Sequence, residues 1–145
     1  DAAIPALLAA AGGKAQVLLT ADHGMVEVDE RVDIAHIPPL REGVEILAGE
    51  GRAAHVHAAP GQAQAVEERW RGFWGERAWI FNRAQIPQVI GSGPGLDLMG
   101  DLLVMPGGGA VVVDSRTQSA ASIAMPGVHG SLTSTEMLVP VWRLA

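Results

Sequence analysis

The sequence predicts an α/β fold: part of a mostly parallel central sheet flanked by helices, with a small α+β insert subdomain. Three observations carry that prediction. A helical pattern, a Gly-Gly stop and a short apolar run follow one another over residues 2–20. Within that run Val17, Leu18 and Leu19 show no alternation, as in a strand covered on both faces. From residue 44 to 90 the pattern changes to short strands around one amphipathic helix. The chain then divides into a core segment (1–43), the insert (44–90) and a return to the core (91–145).

Ile4, Leu7, Leu8 and Ala11 fall at i, i+3, i+4 and i+7 and predict a helix over 2–11. Asp1 would cap it, Pro5 lies close enough to the first turn to be tolerated, and Gly12-Gly13 stops it. Helix, short turn and buried strand (15–20) make half of a βαβ unit. Val44–Leu47 and Ala53–Ala58 read as two short strands. Residues 60–75 read as a helix with Val66, Trp70, Phe73 and Trp74 on one stripe. Trp79–Phe81 is a further strand, and Pro87 limits 83–90 to a helical turn. Gly91–Gly95 is a loop without the following helix that a phosphate-cradling loop requires. Leu102–Met105 and Ala110–Val113 are strand-like, and Pro106-Gly107-Gly108-Gly109 would join them as a hairpin. Met125–Ser131 is a loop, Thr133–Glu136 a capping box for a helical turn, and 137–144 a final strand or extended tail.

A chain of 145 residues suits one domain or part of a larger one. Hydrophobic residues make up 48% and charged residues 18%, which excludes a disordered tail. Ten Lys and Arg against sixteen Asp and Glu leave a formal charge of −6 with no basic run. That argues against a nucleic-acid duplex held by a charged face. Without cysteine there are no disulfides, thiolate metal sites or thiol catalysis. The apolar runs fall far short of the ~20 residues of a membrane span. The opening at Asp1, with no signal-peptide pattern, reads as internal: either a processed chain or a fragment that begins in mid-domain. The compartment is unknown, with the cytoplasm favoured.

Asp22 and His23 follow the first strand directly, and ligands of open α/β sheets bind beyond the carboxyl ends of strands. A carboxylate oxygen and an imidazole nitrogen are both good zinc ligands. Neighbours in a regular strand point to opposite faces, so the two converge only if the chain turns, and Gly24 supplies the freedom to turn. An isolated Asp-His pair is more often a turn with no ion. His129 stands in Pro126-Gly127-Val128-His129-Gly130, a glycine-rich loop where packing does not call for a histidine. Alone it is more often an exposed loop residue. His55 and His57 share one strand face and read as a solvated or hydrogen-bonded pair, and His36 reads as a surface residue. Trp70, Phe73 and Trp74 read as a packing stripe rather than a stacking platform.

The string Leu18-Leu19-Thr20-Ala21-Asp22-His23-Gly24-Met25, with Gly127-Val128-His129-Gly130 and Glu136-Met137-Leu138-Val139-Pro140, resembles the carboxyl-terminal part of the alkaline phosphatase superfamily. Its type I phosphodiesterase/nucleotide pyrophosphatase family is the most similar branch. The match covers about thirty residues at the start and about twenty at the end. It implies an alkaline-phosphatase-like sheet with two divalent ions, zinc by preference, over its strand ends. Asp22 and His23 would bind one ion and His129 the other. The family's threonine nucleophile and remaining ligands lie nearer its amino-terminal end, so no catalytic residue is expected within this chain. Thr20 does not match the nucleophile's position. The implied function is two-metal hydrolysis of a phosphodiester or pyrophosphate bond in a small nucleotide-like substrate. The implied partner is the remaining amino-terminal part of the same protein, without which the chain would be inactive. A paired-ion centre needs the three side-chain tips within about 10 Å of each other. Other branches of the superfamily, acting on phosphonates, phosphomonoesters or sulfate esters, share the ligand pattern. A non-catalytic module that has lost its metal is the alternative outside enzymes.

Overall fold

The computed structural model describes residues 3–144. Helix α1 spans Ala3–Ala11, as its apolar spacing predicts, and the proposed cap Asp1 lies outside the described residues. No residue of α1 is buried, and Leu7 is 61% exposed. Strand β1 (Leu18–Thr20) follows. Next come β2 (Val26–Glu27) and β3 (Glu30–Asp33), then a 3-10 turn and α2 (Pro38–Arg41). None of these elements after β1 is visible as a periodicity, because each is four residues or shorter.

The densest part of the fold is an antiparallel sheet. Strands β4 (Val44–Glu50) and β5 (Ala53–Ala58) form the expected hairpin, and helix α3 (Ala63–Trp74) follows. Strand β6 (Ala78–Asn82) and helix α4 (Ile86–Ile90, Pro87 in its first turn) come next, then β7 (Leu102–Pro106). The sheet order is β4-β5-β7-β6. Helix α3 lays Val66, Trp70 and Trp74 on one face of it, all at most 1% exposed, beside Val56, Leu102 and Val104. A buried Trp removes about 150–250 Å² from water, so this stripe dominates the core. The Trp70 indole N–H also donates to the Leu40 carbonyl at 3.1 Å, which ties α2 to α3. On the opposite face Leu103 and Met105 pack on Ile86 of α4. All five residues of β7 are therefore buried.

Two expectations are corrected here. The glycine-rich link 107–109 does not make a hairpin. Strand β8 (Ala110–Val113) leaves the four-stranded sheet and pairs in parallel with β3, Arg31 opposite Val111. The link is held instead against the segment between β2 and β3: Asp29 N–H donates to the Gly109 carbonyl at 3.1 Å. A Cβ on Gly109 would lie 2.5 Å from the Glu27 carbonyl, so the close approach requires glycine. A mostly parallel central sheet is likewise not what the described residues form. Their sheets are small, and of six strand pairings only β3 with β8 is parallel. Strand β1 pairs antiparallel with β10 (Val141–Arg143), and Leu18 is 59% exposed. The apolar run reports a preference for burial but carries no information about the direction of a partner. The sheet also does not respect a boundary at residue 90, because its inner strand β7 comes from 102–106.

The last part contains α5 (Ala120–Ile123), capped by the Ser119 side chain, β9 (Gly127–Val128) paired with β2, and α6 (Ser134–Met137). Among the described residues no helix is long and apolar enough to cross a membrane.

Candidate metal centre

Past Thr20 the chain leaves β1, and Asp22 and His23 turn toward each other. Asp22 Oδ1 accepts the His23 backbone N–H at 3.0 Å, and Asp22 Oδ2 lies 3.6 Å from His23 Nε2. The Asp22 carboxyl is held below its ordinary value, first by backbone N–H groups of Asp22 and His23 and then by the nearby imidazoles. His23 Nδ1 lies 2.7 Å from the Gly24 carbonyl oxygen. A carbonyl only accepts, so Nδ1 carries the proton and Nε2 of the neutral ring keeps its lone pair.

The His129 ring stacks on that of His23, centroids 3.6 Å apart and planes 19° from parallel. The structure thus brings Asp22, His23 and His129 together from opposite ends of the chain. The two imidazole planes are nearly parallel and lie face to face. A tetrahedral ion with bonds near 2.0–2.2 Å sets its donor atoms about 3.3–3.6 Å apart. The spacing between Asp22 Oδ2 and His23 Nε2 fits that edge. The set is incomplete, since among the described residues no three His, Cys, Asp or Glu side chains are grouped to hold an ion.

Glycine at 24 serves a different purpose from the one the sequence suggests. Its φ is not in the left-handed region. A Cβ there would fall 1.8 Å from the Thr135 carbonyl oxygen, because α6 presses directly on the Asp-His turn. Gly24 N–H donates to the Glu136 carbonyl at 2.8 Å. Gly130, after His129, does need its freedom: its φ is +124°, and its backbone packs on Arg52 and Ala53.

Sequence reasoning missed the group beneath both arms. Thr133 is the N-cap residue of α6, but its side chain caps no backbone N–H. Its hydroxyl instead donates to the Glu136 carboxylate. That carboxylate is 2% exposed and meets Arg52, which is fully buried in the β4–β5 turn. Arg52 Nε donates to Glu136 Oε1 and Arg52 Nη2 to Oε2, each at 2.7 Å. Arg52 also donates to the carbonyls of Ala110 and Pro106, at 2.6 and 3.1 Å. Ser131 N–H donates to Glu136 Oε1 at 2.9 Å. Burial pushes the Glu136 carboxyl up, but these donors outweigh it and hold it below the ordinary value. A Thr-x-x-Glu string points to a helix cap, and an Arg beside a Gly points to a surface turn. Neither pattern signals a buried ion pair.

The other histidines stay apart from this group. His55 and His57 lie on β5, on the face opposite buried Ala54 and Val56. Burial, and then the neighbouring His57, push the His55 imidazole below its ordinary value. His36 is an exposed side chain 3.6 Å from Asp33 Oδ2.

Residues 1–132 match the family model for type I phosphodiesterase / nucleotide pyrophosphatase. No curated protein sequence matches the chain. Among solved structures it is similar to murine ectonucleotide pyrophosphatase / phosphodiesterase 5, at 13% identity and a TM-score of 0.60. An inactive form of that murine protein in complex with AMP gives 13% and 0.61, and the human counterpart 12% and 0.62. The alignments cover 87–88% of this chain but 33% of each of those chains, so it spans about a third of their length.

Proposed function

The chain belongs to the type I phosphodiesterase/nucleotide pyrophosphatase family, and from that premise we propose that it forms one wall of a two-metal hydrolytic centre. Its substrate is a small phosphodiester or nucleotide, and the bond cleaved is a phosphodiester or pyrophosphate. Asp22 Oδ2 and His23 Nε2 hold one divalent ion, zinc by the chemistry of the donors, and His129 holds its neighbour. When bound, two such ions neutralise phosphoryl charge and activate the attacking oxygen. The Gly24 carbonyl fixes the His23 tautomer, and the Asp22 carboxylate is ionised well below neutral pH.

The single observation that carries this reading is the stack of His23 on His129, 3.6 Å between centroids. Neither ring belongs to a hydrophobic core cluster, so core packing does not account for their meeting there. The nucleophile, a threonine, and the missing ligands are supplied by the remaining amino-terminal part of the same protein. Two features support that division. The chain spans a third of the length of similar structures. Leu7, Leu18, Leu138, Val141 and Trp142, from 59% to 76% exposed, leave apolar surface on α1, β1, β10 and the residue after α6.

The test measures zinc content and hydrolysis of a chromogenic phosphodiester in this chain and in the full-length protein. Asp22→Ala or His129→Ala in the full-length protein is expected to lower zinc retention and turnover by at least tenfold. Unchanged values for either variant remove that residue from the centre. Multiple-turnover hydrolysis by the 145-residue chain alone refutes the division of the site.

A further inference from the structure

We propose that Glu136 is a positioning residue that sets the distance between the Asp22–His23 arm and the His129 arm, with Arg52 as its fixed support. The inference deepens the metal-centre reading and rests on it for its functional meaning. Its geometry stands independently. The Glu136 backbone carbonyl accepts from Gly24, next to His23, at 2.8 Å. Its side chain accepts from Ser131, two residues after His129, at 2.9 Å. One residue therefore holds both arms, one through its main chain and one through its carboxylate.

The support is rigid for a physical reason. Arg52 has no exposed surface, grips Glu136 through two parallel bonds and gives two further donors to the Ala110 and Pro106 carbonyls. Ser131 Oγ donates to the same Pro106 carbonyl at 2.7 Å, so the His129 loop is tied to the β7 end once directly and once through Glu136 and Arg52. Gly24 lies too close to the α6 backbone for a side chain, so the Asp-His turn rests directly on α6. A purely stabilising ion pair would not need contacts to both arms.

The experiment uses the full-length protein and reads the imidazole NMR cross-peaks of its histidines without metal, then zinc affinity. Glu136→Gln keeps size and one acceptor but loses charge and one acceptor oxygen. It is expected to shift the His23 and His129 cross-peaks, leave His36 unmoved and weaken zinc binding roughly 10–100-fold. If Glu136→Gln does not fold, Arg52→Lys decides: it keeps the charge, loses the two-pronged grip and is expected to shift the same two peaks. A folded variant with both peaks in place overturns the proposal, whatever its melting temperature. The peaks are read without metal, so a wild-type protein that takes up no zinc counts against the metal reading alone.

Discussion

Strands β1 and β7 look alike as sequences and behave oppositely in the fold. Each is an apolar run without alternation. Every residue of β7 is buried, with α3 on one face, α4 on the other and a strand at each edge. Among the described residues strand β1 has one neighbour, β10, which is itself exposed. The difference teaches that an apolar run records a demand for burial and leaves open what meets it. The candidate metal centre stands between these regions. Asp22 and His23 leave β1, while the group that braces them, Arg52 with Glu136, is anchored at the end of β7.

The strongest way to break this comparison is at the anchor. Arg52→Met leaves the Glu136 carboxylate buried without its partner. It is expected to cost roughly 3–5 kcal/mol in denaturant unfolding. A cost below about 1 kcal/mol would mean that Glu136 finds other donors or reaches water. Next comes the contrast between the strands. Leu103→Ala in β7 is expected to cost about 2–5 kcal/mol, and Leu18→Ala in β1 about 0.5 kcal/mol or less in this chain. Repeating Leu18→Ala in the full-length protein sharpens the comparison. A cost there of 2 kcal/mol or more would show that the proposed amino-terminal part covers β1.

The smallest effect is on acid stability. Arg116 holds the Asp114 carboxyl, at the end of β8, below its ordinary 3.8 through side-chain hydrogen bonds of 2.6 and 2.8 Å. A depressed folded value means that this contribution is complete above about pH 4 and is lost as pH falls below it. Unfolding free energy measured down to pH 2.5 is therefore expected to fall less steeply for Asp114→Asn than for wild type. Equal slopes would show that Arg116 does not hold the carboxylate in solution.

Much of the local structure was legible. Helix α1 follows from the spacing of Ile4, Leu7, Leu8 and Ala11, and the α3 stripe from Val66, Trp70 and Trp74. The β4–β5 hairpin sits where two apolar runs flank Gly49–Gly51. The three candidate ligands were legible only as motifs, each more often innocent than functional when taken alone. The hairpin expected at 106–109 failed because three glycines permit a reversal without requiring one. The capping box failed because Glu136 had a stronger partner in Arg52 than any backbone N–H.

Helices α1 and α3, the β4–β5 hairpin, the tryptophan stripe and the Asp-His-Gly and His-Gly motifs are written in windows of a few residues. Local backbone preference and side-chain period act over that range, and the sequence alone determined them. The stacking of His23 on His129, the insertion of β7 between β5 and β6 and the burial of Arg52 against Glu136 were decided only by the tertiary structure. Each joins segments far apart in the chain. Each is selected by burying apolar area and satisfying every buried donor and acceptor at once, a condition that no short stretch of residues contains.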